Sequence, residues 1–456
     1  MPRFFPTPPA RTGIYLTVFI SGAAVMVIEL IGTRIIAPFY GASLYVWASL
    51  IATTMIALAL GYFVGGRWAD RSQTTGLPLI IALAGLLTLL IPWFASSVLL
   101  ATDPLGLRAG AFTSALVLFS PSLTFLGMAG PFAIRLTTRR LEGVGSSSGS
   151  IYAVSTLGSV AGTILLGFFL FPVLGSREIL IGTGVILFAV AILLSLYEQK
   201  RLKIATALLP CVLVTLIGLS LIPYVAGAGQ AHPGSGKYRI LSQRESLYGW
   251  VRVIDQPARD LRLLTSDASV IGAASILGGT NRLAYQKFVE LVPLLKPGMD
   301  KALLIGLGAG HMAITLDKQF AIATDTLEID PVVARAASEY FGFKPSGRAI
   351  VGDARYEIRR LKGPYDLIIL DCFTGGSEPS HLLTVETLLQ LRGLLSGSGL
   401  IMLNFVAFAD DGNNPALASV AKTVSRVFKH QSVFIAEPGK DFNDFVFIAG
   451  SQAVEP

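Results

Sequence analysis

The sequence predicts two unlike halves: an α-helical membrane domain of about seven spans, then a doubly wound α/β domain that opens with a small antiparallel β subdomain. Three observations predict it. The chain has 456 residues, 52% hydrophobic and only 14% charged, with mean hydropathy +0.64, whereas soluble chains carry roughly 25% charged residues. The shortage is confined to residues 1–226, which hold 13 Lys/Arg and 6 Asp/Glu against 23 of each in residues 227–456. In the second half, short apolar runs alternate with helix-length amphipathic runs to the end. The net charge of +7 therefore belongs to the first half. A neutral second half offers no basic face, which excludes nucleic acid as a partner. The two cysteines, Cys211 and Cys372, and four scattered histidines form no disulfide framework and no metal-ligand spacing, so no metal is expected.

Residues 1–13 are proline-rich, with Arg3 and Arg11, and are expected to be a short unstructured tail. The membrane domain is expected over 14–226. Ile14 to Ile36 is a long apolar run with no small-residue cleavage site after it, so it reads as a retained span. Further runs lie near Trp47–Gly65, Leu77–Leu100, Ala109–Ile134, Ile151–Leu174, Ile179–Tyr197 and Ile204–Ala226, each about 20 residues, enough to cross a bilayer as a helix. Pro121 and Pro131 should kink the fourth, and Ser155, Gly158, Ser159 and Gly162 suit the fifth to close helix contact. Glu29 and Arg34 sit in or near the first span, where charge is costly and often functional. A packed polar contact for Glu29 and an interfacial place for Arg34 are the plain alternatives. The stretch Gly61 to Arg71 (GYFVGGRWADR) resembles the signature loop of major facilitator transporters, and is expected to make a tight, positively charged turn.

The tail and the second, fourth and sixth connections hold ten Lys/Arg (Arg3, Arg11, Arg67, Arg71, Arg135, Arg139, Arg140, Lys200, Arg201 and Lys203), and the other side holds Arg34, Arg108 and Arg177. The bias puts the N-terminus in the cytoplasm. Seven spans would then put the second half outside, which fits poorly with a cytoplasmic nucleotide cofactor. Either one span is miscounted or the domain lies outside.

A Gly/Pro/Ser linker (GAGQAHPGSG, 227–236) leads to the second half. In 237–290, Val251 and Val253 alternate with polar residues and Leu261, Leu263 and Leu264 follow a proline-containing turn, the pattern of small antiparallel strands. A helix is expected over Arg282–Leu295, closed by Pro297 and Gly298. Over 291–456, strands are expected near 302–306, 323–329, 348–351, 366–371, 399–405, 431–436 and 444–449, with helices near 310–318, 332–341, 354–361, 383–395 and 414–428. This alternation predicts a Rossmann-like parallel sheet with its ligand at the carboxyl ends of the strands.

Four loops on that edge carry chemistry. The first is KALLIGLGAGHMAITL: a buried strand, a glycine turn (Gly306, Gly308, Gly310) and the start of a helix, on which a nucleotide can sit. Glu328, 22 residues after Gly306, is placed to grip a ribose diol, with Asp330 beside it in LEIDP. Asp353 and Ala354 of GDA could receive an adenine amino group. Asp371 ends the apolar strand YDLIILD. The plain alternative for any one of these aspartates is a helix N-cap.

In this order and spacing, ESLYG, AYQ, LLIGLGAG, LEIDP, GDA and YDLIILD resemble the spermidine synthase family of aminopropyltransferases, over about residues 238–450. A membrane half ahead of such a domain resembles the bacterial fused, membrane-bound spermidine synthase-like proteins. The resemblance implies a class I methyltransferase-type fold and S-adenosylmethionine or its decarboxylated form as donor. It also implies a small amine or nucleoside substrate and a bacterial inner membrane. The lipid bilayer itself is expected from the spans, which are open to three roles: anchoring, formation of a homodimer, or passage of a product. It assigns the ribose to Glu328, the adenine to Asp353, and orientation and deprotonation of the attacking amine to Asp371. Tyr285 and Gln286 would line the substrate channel. The chain departs from the family where Ala309 stands in the glycine turn and Thr374 in DCFTG, both places for a carboxylate, and where Ile271 replaces a glutamine. Fewer carboxylates suit a cationic diamine less well. His381 of EPSHL is a candidate base or hydrogen-bond donor, and His311 is expected to pack or touch the ligand.

The reading is therefore transfer of an aminopropyl-type group from a sulfonium nucleoside, releasing methylthioadenosine. Its rivals are displacement or elimination within S-adenosylmethionine itself, methyl transfer, and a transporter or sensor that binds a nucleoside without turnover.

Overall fold

A computed structural model describes residues 8–41, 43–71, 76–138, 143–202, 208–227, 238–267, 269–373, 379–410 and 413–452. The linker after Gly227, together with Arg3, Arg139, Arg140, Lys203 and Thr374, lies outside these. The chain forms two compact units, Met1–Gln230 and Ala231–Pro456.

The first unit is helical: α1 (Pro8–Tyr40), α2 (Leu44–Arg71), α3 (Leu77–Thr102), α4 (Gly106–Thr137), α5 (Val144–Ile164), α6 (Ser176–Leu202) and α7 (Leu208–Gly227). Residues 8–13 are helical rather than an unstructured lead, since a proline in the first turn lacks only an N–H that would go unpaired there. Among the described residues, six helical stretches are long and apolar enough to cross a membrane. The sequence suggests about seven. The difference lies in Leu77–Thr137, 61 residues in one stretch, which a 3-10 turn at Asp103–Leu105 divides into α3 and α4. The expected turn at Gly61–Arg71 is instead the last part of α2. Its glycines serve packing, because a Cβ at Gly61 or Gly65 would strike Thr124, Gly127 or Met128 of α4. Gly158 and Gly162 do the same for α5 against Phe19 and Ala23 of α1. Buried hydroxyls add polar ties, Tyr40 to Thr102 at 2.9 Å, Thr102 to Ser114 at 2.6 Å and Thr88 to Ser122 at 2.6 Å. Glu29 hydrogen-bonds Thr54, and the Arg34 guanidinium lies 4.4 Å from the centre of the Phe171 ring.

The second unit begins with a four-stranded antiparallel meander, β1 (Arg239–Glu245), β2 (Trp250–Gln256), β3 (Leu261–Ser266) and β4 (Ser269–Ala274). Alternation along β2 buries Val251 and Val253, which meet Leu264 and Ala274 and the side chains Val333, Ala336 and Phe341 of a later helix. The expected helix from Arg282 starts later, as a 3-10 turn at Tyr285–Lys287 followed by α8 (Phe288–Leu295).

The main sheet has seven strands: β5 (Lys301–Ile305), β6 (Ala323–Glu328), β7 (Ala349–Val351), β8 (Tyr365–Leu370), β9 (Leu395–Phe408), β10 (His430–Ile435) and β11 (Phe442–Gly450). Their order is β10-β11-β9-β8-β5-β6-β7. Between them run α9 (His311–Phe320), α10 (Pro331–Phe341), α11 (Ala354–Glu357), α12 (Val385–Leu394) and α13 (Pro415–Val427). α11 is a single turn, shorter than the expected 354–361. β5 to β9 pair in parallel, as the sequence predicts, but β11 is antiparallel to both β9 and β10. The sheet is mixed, because the short link from β10 to β11 leaves no room for a crossover helix. Leu303, Leu304, Ile305, Leu367, Ile368 and Ile369 are fully buried and form the centre of the core. β6 is polar in sequence, yet Asp325 is satisfied inside it. Arg348 donates to Asp325 Oδ2 at 2.8 Å and the Tyr365 hydroxyl donates to the same oxygen at 2.8 Å.

Candidate active site

The carboxyl ends of β5, β6, β7 and β8 meet at one pocket. Its wall includes Gly306, Gly308, Glu328, Asp330, Asp353, Ala354, Asp371, Tyr285 and His381. Gly310 and Gln286 are not on it. Gly310 adopts φ +80° at the N-cap of α9 and packs on Phe343, while Gln286 is buried behind Tyr285. The glycine turn is held between two backbones. A Cβ at Gly306, where φ is +91°, would strike the Asp371 carbonyl, and one at Gly308, where φ is +52°, the Ile271 carbonyl.

Glu328 ends β6 with Oε2 accepting from Leu307 N and Oε1 from Asp330 N, both at 2.9 Å. Burial raises its pKa, and these backbone bonds oppose the rise. Each carboxylate oxygen keeps a second lone pair for a ligand hydroxyl. Asp330 is different. Its Oδ1 caps α10 through Val332 N at 2.8 Å, and its Oδ2 takes the Ser246 hydroxyl at 2.5 Å. This carboxylate ties the residue after β1 to α10 and caps that helix, as the N-cap alternative describes, while also lining the pocket. Asp353 also caps its helix, its Oδ1 accepting from Arg355 N at 2.7 Å, but it is exposed at the rim.

Asp371 stands just past β8. The Tyr285 hydroxyl donates to its Oδ2 at 3.0 Å, and Asn404 Nδ2 donates to its Oδ1 at 3.1 Å. Asn404 also donates to Asp444 Oδ1 at 3.0 Å, so its amide group bridges two carboxylates. Gln286 Nε2 donates to the Tyr285 oxygen at 3.2 Å. Burial pushes the Asp371 pKa up to about 7, the nearby Asp444 and Glu328 charges add to the rise, and the Asn404 and Tyr285 bonds oppose it. Burial holds the Tyr285 phenol and the Cys372 thiol well above their ordinary values, so neither ionises near neutrality. The amide oxygens Gln286 Oε1 and Asn404 Oδ1 are buried without a hydrogen-bond partner, an acceptor excess beside Asp371.

His381 lies on the 3-10 turn Ser380–Leu382, exposed at the pocket mouth. His311 is buried, edge-on to Phe341 with ring centres 5.9 Å apart, and burial lowers its pKa; it packs. Ala309 is fully buried in the cluster with Val251 and Val333 and faces Gly272 of β4, not the pocket.

Sequence reasoning missed Asn404, Asp444 and Tyr248. Asn404 could have been noticed as the lone amide in the apolar run LIMLNFVAF. Tyr248 of ESLYG lines the pocket, and its phenol pKa is raised by burial and by the Asp330, Asp353 and Glu328 charges. Four carboxylate residues and no Lys or Arg line the pocket among the described residues. That balance repels phosphates and favours a cation bearing hydroxyl and amino groups.

No family model matches the chain. It is similar to a polyamine aminopropyltransferase from Vibrio vulnificus, 35% identical over 179 residues, covering 37% of this chain and 60% of that protein. It is also 30% identical over 235 residues to an N-terminal histidine N-methyltransferase from Emericella nidulans, covering 46% of this chain and 41% of that one. The chain thus spans less than two thirds of the length of either relative. Spermidine synthase from Thermotoga maritima superposes with a TM-score of 0.40 at 19% identity, covering 48% of this chain and 74% of that one. The C-terminal unit is thus similar in sequence to a polyamine aminopropyltransferase, and helices of membrane-spanning length and hydropathy precede it.

Proposed function

We propose that the protein transfers an aminopropyl-type group from decarboxylated S-adenosylmethionine, or a closely similar sulfonium nucleoside, to a small amine. The observation that carries this reading is Asp371: a desolvated carboxylate with a pKa near 7, held by Tyr285 and Asn404, in a pocket lined by four carboxylate residues and, among the described residues, no Lys or Arg. A base poised near the operating pH is what amine activation needs. Glu328 would hold the ribose hydroxyls and Asp353 the adenine amino group. The acceptor nitrogen would lie between Asp371 and the donor, with Tyr248 and Tyr285 as walls. As nitrogen attacks the carbon next to sulfur, the C–S bond breaks with its electron pair going to sulfur. Methylthioadenosine leaves, and the ammonium proton passes to Asp371.

A second reading is favoured by the apolar Ile271 on the pocket wall where the family has a glutamine. Acceptor recognition is thinner there, which suits displacement within S-adenosylmethionine itself. The test is mass spectrometry of the purified full chain with S-adenosylmethionine or its decarboxylated form, each with and without putrescine. Methylthioadenosine only from the decarboxylated donor plus diamine is the expected result. Its release from S-adenosylmethionine with no amine present would replace transfer with the second reading. Failure of every combination would leave binding without turnover.

For the first unit the reading is seven spans, with α3 and α4 crossing separately, and the N-terminus in the cytoplasm of a bacterial cell. The ten-to-three Lys/Arg bias supports it. The C-terminal domain then lies on the opposite side.

A further inference from the structure

The helical unit contains a cavity of its own, of about 170 Å³, between α1, α2, α4 and α5. Its polar side chains are all hydroxyls: Ser21, Tyr62, Tyr152, Ser155, Thr156 and Ser159. Ser159 donates its proton to the Gly22 carbonyl at 3.0 Å, and Thr156 to the Tyr152 carbonyl at 2.9 Å. Those two oxygens therefore present only lone pairs to a ligand. The Ser21 hydroxyl is 4% exposed and has no partner at all. On α1 the lining residues Ser21, Gly22 and Val25 share one helical face, and Glu29 continues that face one turn on. On α2, Leu58 and Tyr62 line the cavity, and Thr54, one turn before Leu58, hydrogen-bonds Glu29. A carboxylate thus lies one turn beyond an acceptor-rich cavity, near the middle of the apolar stretch Thr12–Tyr40. No cationic side chain lines the cavity.

We propose that this cavity binds a small protonated amine, with Glu29 as its counter-charge. A charge in a span is costly without a partner, and none of the cavity's lining residues supplies a positive one. The volume is several times the roughly 30 Å³ of a water, so the space fits an organic ammonium of a few heavy atoms better than a bare ion. Tyr62 and Tyr152, 42% and 48% exposed, line the same space, and aromatic rings attract such a cation. A lipid chain would leave the Ser21 hydroxyl unpaired. The proposal concerns the helical unit and does not rest on the transferase reading.

The experiment is equilibrium binding of radiolabelled butylamine to the full chain in phosphatidylcholine nanodiscs, against empty discs. All arms carry Asp371→Ala to weaken the other site. Saturable binding is expected. Glu29→Gln should weaken it by ~10-fold or more and Glu29→Asp should retain it. Gly130→Leu should abolish it, because Gly130 lines the cavity and a Cβ there meets nothing within 4 Å. Monodisperse elution serves as the folding control for each variant. Binding that is absent, or unchanged in both Glu29→Gln and Gly130→Leu, overturns the proposal. Displacement by sodium with choline inert also overturns it, making this a metal-ion site.

Discussion

Asp371 has consequences that pH exposes. Its folded pKa is raised by burial to about 7, so in the proposed role of base it would work only once ionised. The rate kcat/KM should therefore rise with pH through about 7, and Asp371→Asn should lower it ~10²–10⁴-fold while nucleoside binding persists. The same shift costs stability. Between the ordinary Asp value and about 7 the folded state holds a proton the unfolded chain has lost, so stability falls as pH rises through that window. Asp371→Asn should thus raise Tm at pH ~8 and leave it unchanged at pH ~3, below both pKa values; an equal change at both would remove the desolvation argument. Asn404 lowers the Asp371 pKa by its hydrogen bond. Asn404→Ala should move the midpoint of the pH–rate profile upward, which a purely structural role would not do. At this scale the sequence located Glu328, Asp353 and Asp371 through their places at strand ends. It could not show that Asp330 also ties the end of β1 to α10, since only the tertiary partner Ser246 reveals that role.

Among elements, the glycine turn and the central strands tolerate least. Gly306→Val places side-chain atoms where the Asp371 carbonyl stands, at a φ that branched residues avoid. It should abolish nucleoside binding, measured by titration with methylthioadenosine. Leu303 is fully buried, and Leu303→Ala should destabilise the C-terminal unit by about 2–5 kcal/mol, read from its urea denaturation. Asp325 responds to acid in the opposite sense from Asp371. Burial alone would raise its pKa, but the Arg348 and Tyr365 bonds bring it below the ordinary value. Its stabilisation is present above the unfolded Asp pKa and is lost as pH falls through the lower folded one. Helices and parallel strands were legible here because hydrophobic period and length distinguish them. The sense of β11 was legible only in the shortness of the link before it, and the 3-10 start of α8 was not legible at all.

Across the whole molecule, the topology makes a separate forecast. A phosphatase reporter fused after Pro456, which folds only where disulfides form outside the cytoplasm, should be active if α3 and α4 each cross the membrane. An inactive fusion would mean that Leu77–Thr137 does not supply two spans. By itself the sequence determined the division into an apolar, basic-flanked half and a neutral α/β half, and the edge of the sheet where the candidate site lies. Both follow from local quantities, since hydropathy, strand period and glycine spacing act within a few turns of chain. Only the tertiary structure decided which polar groups meet. Asn404 between Asp371 and Asp444, Tyr285 against Asp371, and Ser159 against the Gly22 carbonyl are joined by packing of distant segments. Their energies depend on burial and on partners, neither of which is a property of any one stretch of residues.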